Sequence, residues 1–149
     1  MMHQKILIAT DGSELSDKAV SYGLSVAKQL NSHVSLVTVS EVWQARDLVE
    51  RHESGSQNPI EDYENIMTGW AERVLSAAAD EAKKMGVNYE TIHVKDQHPA
   101  EGIIETAKSK GSDLIIMASH GRRGLKMVLI GSVANEVVSE SPVPVLIYR

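Results

Sequence analysis

The sequence predicts an α/β fold: a single doubly wound five-stranded parallel sheet, order 3-2-1-4-5, with helices on both faces. Three observations predict it. Short, nearly all-apolar runs such as KILIAT (residues 5–10) and LIIMA (114–118) suit strands buried on both faces of a parallel sheet. Segments with apolar residues three and four apart lie between them, as amphipathic helices do. The two signals alternate along the chain, which requires crossover connections and hence parallel pairing.

The first strand, KILIAT, stops at Asp11-Gly12-Ser13. Ser13 is placed to cap a helix, with Glu14 and Asp17 as first-turn carboxylates. Ala19, Tyr22, Val26 and Leu30 form the stripe of that helix, and Asn31 is its stop. HVSLVTV (33–39) alternates and is β-branched, a second strand. Residues 41–58 show no clear period and form the one long connection, with a turn of helix expected near 45–49. Asn58-Pro59-Ile60-Glu61 reads as cap, first-turn proline and capping-box acid. The stripe Ile60, Tyr63, Met67, Trp70, Val74, Leu75, Ala78 and Ala82 follows, and Gly86 ends it. Residues 87–94 form the third strand. Pro99 opens a helix with Ile103, Ile104 and Ala107 inward and Gly111 at its end. After the fourth strand, 114–118, a glycine-bearing loop runs over 119–131. A helix over 132–140 and a last strand, Val143 through Tyr148, complete the chain.

Composition narrows the function. At 149 residues, with 42% hydrophobic and 23% charged residues, the chain has the make-up of one globular α/β domain over 1–149. It contains no Cys, so disulfides, thiolate metal sites and a Cys nucleophile are excluded. With aromatics at 4%, base-stacking platforms for single-stranded nucleic acid are not expected. A net charge of −5 disfavours binding to nucleic acid or an anionic membrane. No stretch approaches the roughly 20 apolar residues of a membrane span, and the start MMHQKILIATDG does not read as a signal peptide. A cytoplasmic location is expected.

In an open α/β sheet, ligands bind beyond the carboxyl ends of the strands at the topological switch point. Two segments arrive there: Ala9 to Ser13 and Ala118 to Gly124. The second suits an anion. Its glycines allow close approach of backbone amides, Gly131-Ser132 opens a helix, and Arg122, Arg123 and Lys126 add charge in a stretch, 114–135, that holds no Asp or Glu. A chain turn with a solvated basic face fits the same residues. Neither G-x-x-x-x-G-K-[ST] nor G-x-G-x-x-G occurs. The six histidines show no metal-ligand spacing, and Ser119-His120-Gly121 is not a nucleophile elbow. His120, within the loop, either orients phosphate or faces solvent. Asp11 before Gly12 is read as a turn or ligand-contact residue rather than a catalytic one.

The opening KILIATDGS, the TVSE that closes the second strand, and DLIIMASHGRRGLKMVLIGSVANEVVSESPVPVLIYR together resemble the universal stress protein family over essentially the whole chain. The nucleotide-binding branch of that family carries G-x2-G-x9-G-[ST]. Here Gly121, nine residues and Gly131-Ser132 match it, and Ala118 replaces its first glycine. The resemblance implies an ATP or AMP cleft between the first and fourth strands. It puts Asp11 at the adenosine moiety, and Ala9, Val39 and Met117 along base and ribose. It puts the Ala118–Gly121 backbone near ribose and phosphates, and Gly131, Ser132 and the Val133 amide on phosphate oxygens. Arg122 is added as a flexible phosphate partner. Magnesium would accompany the phosphates.

The function expected is that of a small stress-response regulatory protein whose contacts with a protein partner depend on nucleotide. Turnover is at most slow ATP hydrolysis, since no acid/base pair or metal cluster is evident. The resemblance also implies a homodimer through the apolar edge 143–148, an edge that otherwise favours aggregation. The rival is a dimeric scaffold of the same family that binds no nucleotide.

Overall fold

A computed structural model describes residues 2–41, 45–121 and 130–149, with the side chains of Ala45 and Arg46 outside that description. The element order is β1 (Lys5–Ala9), α1 (Glu14–Leu30), β2 (His33–Val39), α2 (Ala45–Glu53), α3 (Pro59–Met85), β3 (Asn88–Val94), α4 (Pro99–Lys110), β4 (Leu114–Ala118), α5 (Ser132–Glu140) and β5 (Val145–Tyr148). The five strands form one parallel sheet, β3-β2-β1-β4-β5. The predicted fold class and strand order are those observed.

Alternation along the strands divides the core in two. Ile6, Ile8, Val34, Leu36, Leu114 and Ile116 pack with α1 and α3. Leu7, Ala9, Val37, Ile115 and Met117 pack with α4 and α5. Ile6, Leu7, Ile8, Leu36, Ile115 and Ile116 are fully buried, and each such side chain contributes about 1.5–3 kcal/mol.

Helix punctuation follows the sequence closely. Ser13 Oγ accepts from the Ser16 amide, and Asn31, Gly86 and Gly111 close α1, α3 and α4 in the left-handed conformation. Asn58 is an exception. Its side chain makes no capping bond, and α3 begins on backbone alone, the Asp62 amide reaching the Asn58 carbonyl at 3.0 Å.

Other boundaries and faces differ from expectation. The long connection holds a nine-residue helix, α2, beyond the single turn expected. It packs on α3, whose residues 59–70 include no buried position. The predicted α3 stripe therefore reaches the core only from Ala71 onward, and Ile60 is 43% exposed. The stripe of α1 is rotated from the predicted one. Ala19 is buried, but Tyr22 and Leu30 are exposed, and Val20, Gly23, Leu24 and Ala27 face the sheet. The cause is Gly23, where an added Cβ would stand 2.7 Å from Ile8 Cδ1. The helix sits down on this gap and turns Tyr22 outward to the Tyr148 ring, 5.6 Å away between centroids. β5 begins at Val145 rather than Val143, because Val143 bonds locally to Ser141 and Pro144 has no N–H. Among the described residues no helix is long and apolar enough to cross a membrane.

Candidate functional site

β1 and β4 are neighbours, yet the helices that follow them pack on opposite faces, α1 on one and α5 on the other. Their connections part at the carboxyl ends and open a crevice at the switch point.

One wall is the β1–α1 turn. The Thr10 amide prolongs the ladder by donating to the Val37 carbonyl at 2.9 Å. Gly12 takes φ +78°, and a Cβ there would lie 2.8 Å from Val74 Cγ2, so α3 closes onto this turn. Asp11 is half-buried, and its Oδ1 accepts from the Ser13 amide at 3.0 Å. Beneath it, Ser16 Oγ accepts from the Asp11 amide at 3.1 Å and donates to Thr10 Oγ1 at 2.8 Å. This wall is electronegative: burial, and then the charges of Asp11 and Glu81, raise the Asp17 carboxyl above its ordinary value.

The other wall is built on β4 and α5. The Ser119 amide donates to the Tyr148 carbonyl at 2.8 Å, and the Ser119 carbonyl accepts from the Gly131 amide at 2.6 Å. That second bond seats the start of α5 beside the end of β4. The approach is close enough that a Cβ on Gly131 would lie 3.2 Å from the Ser119 carbonyl and 3.3 Å from His120 Cβ. α5 has Gly131 as its N-cap, with no side chain to cap it, its first turn holds no acidic residue, and among the described residues its first intrahelical donor is the Asn135 amide. The amides ahead of Asn135 have no acceptor within the helix. Together with the helix dipole they favour an anion.

Eight of the ten predicted site residues fall into three groups, and Ala118 and Arg122 stand apart. Ala9, Val39, Met117 and Val133 meet in the apolar cluster on the α4/α5 face. Asp11 and Gly121 meet across the crevice: a Cβ on Gly121 would stand 2.0 Å from Asp11 Oδ2. Gly121 thus leaves room for the Asp11 carboxylate as placed, and its backbone angle does not call for glycine, since it is not among the glycines of positive φ. Gly131 and Ser132 begin α5, Ser132 being exposed. Ala118 ends β4 in a backbone outside the left-handed region. Alternation puts its methyl on the face of Leu114 and Ile116, beneath α1. Arg122, with Arg123, Gly124 and Lys126, lies outside the described residues.

Some residues at the crevice were not singled out from sequence. Ser16 and Thr10 anchor the Asp11 turn from below. Gly102 lets α4 approach β2, since a Cβ there would lie 3.1 Å from both Val39 methyls. A glycine inside a helix costs about 1 kcal/mol against Ala, and that cost was its legible signal. At the outer rim, Ser40 Oγ and His93 Nε2 lie 2.8 Å apart.

A model of the universal stress protein family matches residues 2–149. Universal stress protein YxiE of Bacillus subtilis is 33% identical, over 99% of this chain and 100% of its own. Universal stress protein MJ0577 of Methanocaldococcus jannaschii is 30% identical over the whole of this chain and 96% of its own. Its structure superposes with a TM-score of 0.81 over 99% of this chain and 96% of that one. A universal stress protein solved in complex with cAMP is 25% identical, with a TM-score of 0.70 over 100% of this chain and 99% of that one. The switch-point crevice between β1 and β4 thus stands in a fold that these relatives share along their length, and the chain belongs to the universal stress protein family.

Proposed function

We propose that this protein binds an adenine nucleotide, ATP or AMP, in the crevice between the ends of β1 and β4, and that binding changes its contacts with a protein partner in a stress response. The observation that carries this reading is the start of α5. Its N-cap, Gly131, carries no side chain, its first turn holds no acid, and the Gly131–Ser119 bond seats it beside β4. Phosphate oxygens would take the amides of Ser132 and Val133. Base and ribose would lie along Ala9, Val39 and Met117, with the Asp11 carboxylate accepting from a hydroxyl or an exocyclic amine. The cAMP complex of a relative supports the adenine class.

A scaffold that binds no nucleotide would have drawn on Ala118. That reading is weakened by an Ala118 that ends β4 with a backbone outside the left-handed region. Turnover is slow or absent on our reading, and the functional unit is a homodimer paired along β5.

The experiment is acid extraction of the purified protein and ion-exchange separation of the extract, followed by thermal shift with ATP, ADP and AMP, with and without magnesium. The expected result is co-purified adenine nucleotide or a raised melting temperature, both lost in a Gly131→Asp, Ser132→Ala variant. Neither nucleotide in the extract nor a shift at millimolar nucleotide would overturn the proposal.

A further inference from the structure

Asp11, Ser13 and Ser16 close a ring in which each amide donates to the side chain of another member. The Ser13 amide donates to Asp11 Oδ1 at 3.0 Å, the Ser16 amide to Ser13 Oγ at 3.2 Å, and the Asp11 amide to Ser16 Oγ at 3.1 Å. The ring is tied to the sheet by one further bond, from Ser16 Oγ to Thr10 Oγ1 at 2.8 Å. Thr10 Oγ1 also accepts from the Gly12 amide at 3.3 Å. Ser16 and Thr10 are only 3% and 6% exposed.

Capping α1 needs one of these bonds, Ser16 amide to Ser13 hydroxyl. The other two hydroxyl contacts satisfy no helix amide. They act on Asp11 and Gly12, which precede the cap. Burying a hydroxyl is unfavourable unless it is bonded, and an apolar side chain at either position would add to the core instead. Through Ser16 the pair reaches the Asp11 amide, and Thr10 also takes the Gly12 amide, while the Asp11 carboxylate accepts from the Ser13 amide and occupies the space a Cβ on Gly121 would need.

We infer that the Thr10–Ser16 hydroxyl pair is the positioning device of the Asp11 carboxylate. Ser16 fixes the Asp11 amide, the ring then fixes Oδ1, and Thr10 anchors both to β1. Neither hydroxyl contacts the ligand. They act through Asp11 alone. The inference rests on the nucleotide reading for its effect on affinity, and on the hydrogen bonds alone for its effect on the turn.

The test is a double-mutant cycle. ATP affinity is measured by calorimetry for the wild type, Ser16→Ala, Thr10→Val, Asp11→Ala, and each hydroxyl variant combined with Asp11→Ala. Amide exchange of Ser13 is followed by NMR without ligand. Ser16→Ala and Thr10→Val should each weaken ATP by about three- to tenfold, the effect of one lost hydrogen bond. In the Asp11→Ala background the same changes should have no further effect, and Thr10→Ser should retain wild-type affinity. The Ser13 amide should exchange faster in both hydroxyl variants. An equal loss of affinity with and without Asp11 would overturn the inference, because a merely structural role predicts that. A wild type that binds no ATP refutes the nucleotide reading. Ser13 exchange then decides the positioning: faster exchange upholds it, and unchanged exchange overturns it. If Ser16→Ala does not fold, the isosteric Thr10→Val carries every measurement.

Discussion

Gly121 faces Asp11 across the crevice. Its place in the G-x9-G-S spacing was visible in sequence, but not what its missing side chain leaves room for. The space belongs to Asp11, a residue 110 positions away whose carboxylate would be 2.0 Å from a Cβ. Gly121→Ala should displace the Asp11 carboxylate, with a small loss of stability because the clash is with the far end of a side chain, and lower nucleotide affinity. Calorimetric and thermal denaturation would check both, and an unchanged variant would contradict the contact. His93 offers a pH test at the same scale. Burial first, and then Lys95, hold its imidazole below the ordinary 6.5, against the opposing pull of Asp96 and Glu72. Because the unfolded chain takes up that proton first, the contribution is full above pH 6.5 and is lost as pH falls below it. His93→Gln should therefore lose less melting temperature than the wild type between neutral and mildly acid pH. Parallel losses would contradict the burial assignment. His93 and Ser40 were not readable as a pair, since their meeting depends on the register of two strands 53 residues apart.

At the scale of elements, signals carried by the local chain were legible and those set by packing were not. Ser13, Asn31, Gly86 and Gly111 bound their helices as their chemistry requires. β4 and α5 have the predicted bounds, because an apolar run and a Gly-Ser start are local features. The face of α1 was misjudged, because period alone weighs Tyr22 and Leu30 as core and Gly23 as a gap. On the sheet the gap decides, since it admits Ile8 and sends Tyr22 to Tyr148. Gly23→Ala separates the two views. Helix propensity alone predicts a gain of about 1 kcal/mol, whereas overpacking against a fully buried Ile8 costs about 1–3 kcal/mol. Chemical denaturation should show net destabilisation, and a stabilised variant would contradict the packing of α1. The first half of α3 was misread for the same reason. Its apolar residues are periodic, but none of residues 59–70 is buried, and Ile60 and Ile66 stay exposed.

For the whole molecule, alternation of strands and helices was enough to infer the sheet order, and from it the place of the crevice. The net charge was a poorer guide. A total of −5 conceals two unlike walls, one where Asp11 and Glu81 each act on the Asp17 carboxyl, the other a helix start with no acid in its first turn. A site with that asymmetry suits a nucleotide, whose phosphates and base ask for opposite environments. The sheet also ends in β5, half-exposed throughout and paired on one side to β4. A second copy joined along this strand would cover it. Sedimentation equilibrium should therefore give the mass of a dimer, whereas a monomer mass would contradict pairing along β5. The central claim is tested most directly by calorimetric titration of ATP into the nucleotide-stripped wild type and the Gly131→Asp variant. The account predicts saturable binding near one nucleotide per chain in the wild type and none in the variant. Absence of binding to the wild type, or equal binding to both, would contradict it.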